Sequence, residues 1–181
     1  MAKELEVKVL GINRKEIEEK LTNIDAIKIK DEYQKNIILD TEDNIIEEKY
    51  NGYLRIRETK NYMNNEKKIN VTLKQILSDE IYRENKEFES SIDNPKALLE
   101  IFKILGLTIK YIGYKERVSY KYEDILFEID TWDNDTYPET YMEIEIQRKD
   151  DLDKAINMLN LDKNSITTKS ITELRKEIGM E

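Results

Sequence analysis

Through at least seven stretches of this chain, charged residues recur at every second position, and the sign of the charge is sorted by stretch. Period two is the mark of a β-strand, whose successive side chains point to opposite faces. Glu4-Leu5-Glu6-Val7-Lys8 is the plainest case: Glu4, Glu6 and Lys8 share one face, and Leu5, Val7 and Val9 the other. Glutamate and lysine are poor strand formers, and adjacent carboxylates on one face repel, so this face costs stability unless a cation lies between them. Taken together, the same-face sets are carboxylates at Glu4, Glu6, Glu87, Glu89, Glu128, Asp130, Glu143 and Glu145, and cations at Lys8, Arg55, Arg57, Lys74, Arg83, Lys115 and Arg117. A face that merely meets water more often mixes signs and includes Ser, Thr, Asn and Gln.

The alternation predicts eight strands, mostly antiparallel because their connections are short. They start with residues 4–9 and continue through 27–40, with a bulge, and 53–59, behind an Asn51-Gly52 turn. The partner of the third begins near Lys67, and residues 61–65 between them, with Lys60, read as a loop. Residues 81–90, 108–122, 125–132 and 139–149 supply the other four. Amphipathic helices are expected at 13–21 behind an Asn13 cap, at 95–105 behind Asp93 or Asn94 and stopping at Gly106, and at 151–159 and 170–178. Two architectures answer to this pattern. One is an antiparallel sheet with a wet face; the other is an α+β fold in which the eight strands close into a barrel with the charges inside and the helices covering an apolar exterior.

Composition narrows the chemistry. The 181 residues suit one domain, 1–181, with enough length to bury a core. Lys and Arg total 30 against 39 Asp and Glu, a formal net charge of −9, which argues against general nucleic-acid binding. The absence of cysteine and histidine removes disulfides, thiolate or imidazole metal ligands, and mechanisms that need either side chain. Only carboxylates remain to hold a metal, and they suit a hard cation such as Mg²⁺ or Mn²⁺. No apolar run approaches the roughly 20 residues of a membrane span, and no secretory segment is evident, so a cytoplasmic location away from membranes is expected.

In their order along the chain these motifs resemble the CYTH superfamily, the triphosphate tunnel metalloenzymes that include class IV adenylate cyclases and thiamine triphosphatases. Glu4-Leu5-Glu6-Val7-Lys8 is similar to the family's Glu-x-Glu-x-Lys. Leu54-Arg55-Ile56-Arg57, Thr72-Leu73-Lys74, Glu87-Phe88-Glu89, Lys115-Glu116-Arg117, Glu128-Ile129-Asp130 and Glu143-Ile144-Glu145 follow in family order, so the resemblance covers nearly the whole chain. It implies metal ligation by Glu4, Glu6, Asp130, Glu143 and Glu145, with Glu87, Glu89 and Glu128 at a further site or behind the ligands. It implies catalytic, phosphate-binding roles for Lys8, Arg55, Arg57, Lys74 and Arg117, with Arg83, Lys115 and Lys169 as further phosphate-binding cations. Residues 132–138 depart from the family by lacking the glycines usual before its last acidic strand. The cyclase group also carries a His-Phe pair ahead of its first motif, whereas this sequence starts three residues before Glu4.

The implied activity is metal-dependent hydrolysis of a linear triphosphate, inorganic or organic. Class IV adenylate cyclase, making cyclic AMP and pyrophosphate from ATP, is the alternative within enzymes. A polyphosphate-binding module without turnover is the alternative outside them. Inorganic triphosphate is expected to outrun ATP, because Tyr50, Tyr53 and Trp132, the side chains that could stack on a base, read more readily as packing. Homodimerisation is left open.

Overall fold

The apolar faces of the strands look outward, and the helices lie against them. The computed structural model describes residues 3–180, with side chains from Leu5 onward, so the Glu4 side chain lies outside the described residues. Among the described residues nine strands and five α-helices run in the order β1 (Lys3–Val9), α1 (Arg14–Asn23), β2 (Ile27–Thr41), α2 (Ile45–Tyr50), β3 (Gly52–Asn61), β4 (Lys67–Ser78), β5 (Arg83–Ser91), α3 (Pro95–Ile104), β6 (Leu107–Tyr122), β7 (Ile125–Trp132), β8 (Tyr141–Ile146), α4 (Asp150–Leu159), β9 (Ile166–Thr167) and α5 (Ile171–Glu177). A single 3₁₀ turn, Lys163–Ser165, precedes β9.

The sheet order is β5-β4-β3-β2-β6-β7-β8-β1, and β1 pairs back onto β5 from Lys3–Lys86 to Glu6–Arg83. That last pairing closes an eight-stranded antiparallel barrel. β9 lies outside the ring, paired to the end of β1 at Lys8–Thr167 and Val9–Ile166. Closure leaves no free edge in the ring. The expected bulge in β2 is present as register shifts at Lys28/Lys30 and Ile38/Leu39.

Two apolar cores form between the barrel and the first four helices, and a third cluster joins Tyr137 and Tyr141 to Leu174 of α5. In the larger, Val7, Val118, Phe127, Ile129, Met142 and Ile144 on the outer faces of β1, β6, β7 and β8 meet Ile17 and Leu21 of α1 and Ala155 and Leu159 of α4. In the smaller, Ile37, Leu39, Leu54 and Ile56 of β2 and β3 meet Leu98, Leu99 and Phe102 of α3 and Ile46 of α2. The helix ends follow from local chemistry: Asn13 accepts from Glu16 N at 3.2 Å, Asn94 accepts from Ala97 N at 3.0 Å ahead of Pro95, and Ser170 with Glu173 forms a capping box. Gly106, at φ +87°, takes the left-handed turn that ends α3.

Several boundaries differ from expectation. Lys60 belongs to β3, not to a loop, because the β3–β4 pairing runs on to Lys60–Lys67. Asn51-Gly52 is not a hairpin turn: Asn51, in the left-handed conformation, caps α2, a six-residue helix too short to show a period. Strand β8 ends at Ile146, three residues before the expected Lys149, where the chain bends into α4. No helix among the described residues is long and apolar enough to cross a membrane.

Candidate active site

Register turns the alternation into a lining. Across β1 and β8, Glu6 stands opposite Glu145 and Lys8 opposite Glu143; across β7 and β8, Glu128 stands opposite Glu143. Arg117 of β6 faces Asp130 of β7, and on the other side Lys74 of β4 faces Glu87 and Thr72 faces Glu89 of β5. Arg55 and Arg57 of β3 come between Ile38 and Asn36 of β2 and Thr72 and Asn70 of β4. These inward side chains surround a cavity of about 310 Å³, roofed at one end by Ser170, Ile171 and Thr172 at the start of α5. The residues singled out on β1 to β8 that the structure describes therefore converge on one space, except that Asp130 lies just behind its wall, completely buried. Lys169 is apart from it: half exposed, it forms an ion pair with Glu177.

On the acidic side, carboxylates and cations interlock. Arg117 Nε and Nη2 each donate at 2.6 Å to an oxygen of Asp130, Nη2 also reaches Glu143 at 2.6 Å, and Nη1 contacts Glu128. Lys115 donates to Asp130 at 2.5 Å, and Lys8 lies 3.4 Å from Glu143. Lys74 bridges Glu6, at 3.3 Å, and Glu87, at 3.1 Å. Burial pushes Glu143 and Asp130 up, but the surrounding cations outweigh it: Lys8 and Arg117 hold Glu143 well below the usual carboxylate range, and Arg117 and Lys115 hold Asp130 low. Glu6 is lowered in the same way, against its burial, chiefly by Lys74. For Lys115 burial wins, reinforced by Arg117, and brings its ammonium down to about 7.

The basic side is different. Among the described residues Arg55 and Arg57 have no carboxylate partner: Arg57 Nε donates only to the Asn36 side chain, at 2.8 Å, and Arg55 Nε is buried with no acceptor. Burial, with Arg55 and Arg117 nearby, draws Arg57 down to about 10. Two neighbouring guanidinium groups drawn partly out of water without an anion are costly. An anion entering the cavity relieves that cost.

Several lining residues escape the reading of sign patterns. Tyr141, buried in the wall, donates to Asp130 at 3.1 Å and accepts from Trp132 Nε1 at 2.9 Å. Lys30, next to the β2 bulge, lies 3.6 Å from Glu128, and Asn85 presents a buried amide with neither atom partnered. All three obey the same inward parity, so parity rather than charge would have found them. The aromatic residues carry cations on their rings: Arg55 over Tyr53 at 5.5 Å, Lys115 over Trp132 at 4.9 Å and Lys8 over Tyr141 at 5.9 Å. Arg83 lines the cavity yet donates to Glu173 of α5 at 3.0 Å. Residues 132–138 turn without glycine because Asp133 takes over: its carboxylate accepts from Thr136 N and Oγ1, at 2.9 Å each, and from Tyr114 N at 2.6 Å.

The donors fit a hard divalent cation in kind. All are oxygens, and Glu6 and Glu145 are carboxylates directly opposed across a strand pair, an arrangement that is destabilising without a cation between. Among the described residues no three acidic side chains already converge as a ligand set, since Glu6, Asp130 and Glu143 are each turned to a lysine or arginine.

A family model described as the CYTH domain matches residues 2–172. Among solved structures, the PH1012 protein of Pyrococcus horikoshii OT3 is 24% identical, with a TM-score of 0.77 over 94% of this chain and 98% of that one. The PH1819 protein of the same organism is 23% identical, with a TM-score of 0.79 over 97% and 99%. HpAC1 of Hippeastrum, a proposed adenylyl cyclase with a dominant triphosphatase activity, is 16% identical, with a TM-score of 0.70 over 100% and 99%. At these identities the likeness is one of fold. Among curated proteins none matches the chain by sequence.

Proposed function

The chain belongs to the CYTH domain family, and on that premise we propose that it is a divalent-metal-dependent hydrolase of linear triphosphates. Water attacks the terminal phosphorus, the bridging P–O bond breaks, and inorganic triphosphate yields orthophosphate and pyrophosphate. The observation that carries this reading is the pair Arg55 and Arg57, half-buried in the lining without a carboxylate partner among the described residues. Guanidinium groups so placed grip phosphate oxygens bidentately.

Glu6, Glu143 and Glu145, with Glu4 on the same strand face as Glu6, would hold one Mg²⁺ or Mn²⁺, and Asp130 would serve a second. The chemistry a bound ion supplies is polarisation of a phosphate oxygen and acidification of water. The chain's own part is electrostatic: Arg55, Arg57, Lys74 and Lys8 offset the charge spread over the transferring and leaving phosphates, as a loose phosphoryl transition state requires. Tyr53 and Trp132 offer no open stacking platform while Arg55 and Lys115 lie over their rings, which favours recognition that ends at the phosphates. The description of HpAC1 as having dominant triphosphatase activity points the same way.

The test is kcat/KM for inorganic triphosphate, ATP and thiamine triphosphate with Mg²⁺ and with Mn²⁺, assaying orthophosphate and cyclic AMP in parallel. Inorganic triphosphate is expected to be the fastest. Cyclic AMP dominating with every metal means the cyclase instead, and saturable binding without product means a binding module. Arg55→Ala or Arg57→Ala is expected to remove roughly 2 to 4 kcal/mol of transition-state stabilisation. Lys60→Ala, on the outward face of the same strand, is expected to change little.

A further inference from the structure

Arg117, buried, and the half-buried pair Arg55 and Arg57 are guanidinium sites in one cavity, yet their surroundings are opposite. Arg55 and Arg57 lack an anion among the described residues, whereas Arg117 holds three carboxylates, Asp130, Glu128 and Glu143, from two strands. Those carboxylates have little capacity left. Asp130 Oδ2 also accepts from Lys115 and Tyr141; the second oxygen of Glu128 accepts from Ser119 at 2.9 Å and lies 3.6 Å from Lys30; and the second oxygen of Glu143 faces Lys8. The lone pairs a divalent ion needs from Asp130 and Glu143 are thus the ones Arg117 occupies. Conversely, the N–H donors that a phosphate needs from Arg117 are committed to carboxylates.

We propose that Arg117 is a shared counter-cation that couples the two ligands, competing with the divalent ion for Asp130, Glu128 and Glu143 and released to phosphate when the ion takes those carboxylates. The inference rests on the metal-dependent triphosphatase reading. Its physical basis is the cost of unpaired buried charge. An ion arriving alone must displace a guanidinium that then has no anion, and a triphosphate arriving alone must pull Arg117 from three carboxylates that then have no cation. With both bound, every charge has a partner. Metal and triphosphate therefore strengthen each other's binding, by the same factor in either order.

The experiment measures Mn²⁺ affinity of the full chain without any phosphate ligand, from the free-ion paramagnetic resonance signal, in wild type, Arg117→Lys and Arg117→Gln. Both variants are expected to bind Mn²⁺ more tightly than wild type, Arg117→Gln by about tenfold, the scale of ordinary site coupling. Wild type itself supplies the second readout, so the proposal does not depend on a variant folding. The Arg117 Nε–H resonance is expected to keep its position with Mg²⁺ alone or with a non-hydrolysable imido-bridged triphosphate alone, and to move when both are present. Equal Mn²⁺ affinities in the three proteins, or a resonance unmoved with both ligands bound, overturn the coupling and leave the triphosphatase reading standing. A wild type that binds neither Mn²⁺ nor the imido analogue overturns both.

Discussion

Lys115 is buried among Arg117, Asp130 and the Trp132 ring, and burial lowers its pKa from 10.5 to about 7. Between those values the unfolded chain holds a proton that the folded chain has released, so stability rises with pH across this window and falls as pH drops toward 7. The slope is at most about 1.4 kcal/mol per pH unit. Urea denaturation at pH 7 and pH 9 is expected to show this gain in wild type and to lose most of it in Lys115→Met; equal slopes in the two proteins count against a depressed lysine. The sequence made Lys115 and Arg117 visible as a same-face pair. It did not separate their roles, because in water both are charged at neutral pH, and only burial beside Arg117 brings the lysine's pKa down to about 7.

Among the helices, α2 is the one the sequence did not disclose. With six residues it shows no helical period, and what holds it is remote from its own sequence pattern: Asp40, buried at the end of β2, accepts from Ile46 N at 2.9 Å and Glu47 N at 3.0 Å. An ionised acceptor at a helix start is a strong cap. Asp40→Ala is expected to cost about 1 to 2 kcal/mol in urea denaturation with turnover retained, since Asp40 does not line the cavity; unchanged stability would show that α2 stands without it. The longer helices were legible from an apolar stripe, to which α1, α3 and α5 add a cap, as α1 does with Ile17, Leu21 and Asn13. Strand β9, at two residues, has neither signal and exists only as an addition to β1.

For the whole molecule, the barrel is inverted relative to a protein with an apolar centre: its polar groups are inside and its apolar core lies between strands and helices. Phe127, fully buried on the outer face of β7, is part of that core. Phe127→Ala is expected to destabilise by about 3 to 5 kcal/mol while leaving kcat near wild type below the lowered melting point, as measured by thermal denaturation and steady-state kinetics. A large loss of kcat in the folded variant would mean that the outer core sets the geometry of the lining. The sequence by itself determined which side chains share a face and which sign each face carries, since alternation at period two is a property of an extended chain whatever it pairs with. Tertiary structure alone decided which charges meet. Arg117 reaches Glu128, Asp130 and Glu143 across separations of 11, 13 and 26 residues, and β1 meets β5 only when the ring closes. Pairing partners and register are set by long-range packing of the outer apolar faces, so the same alternating strands in an open sheet would have put these charges in water.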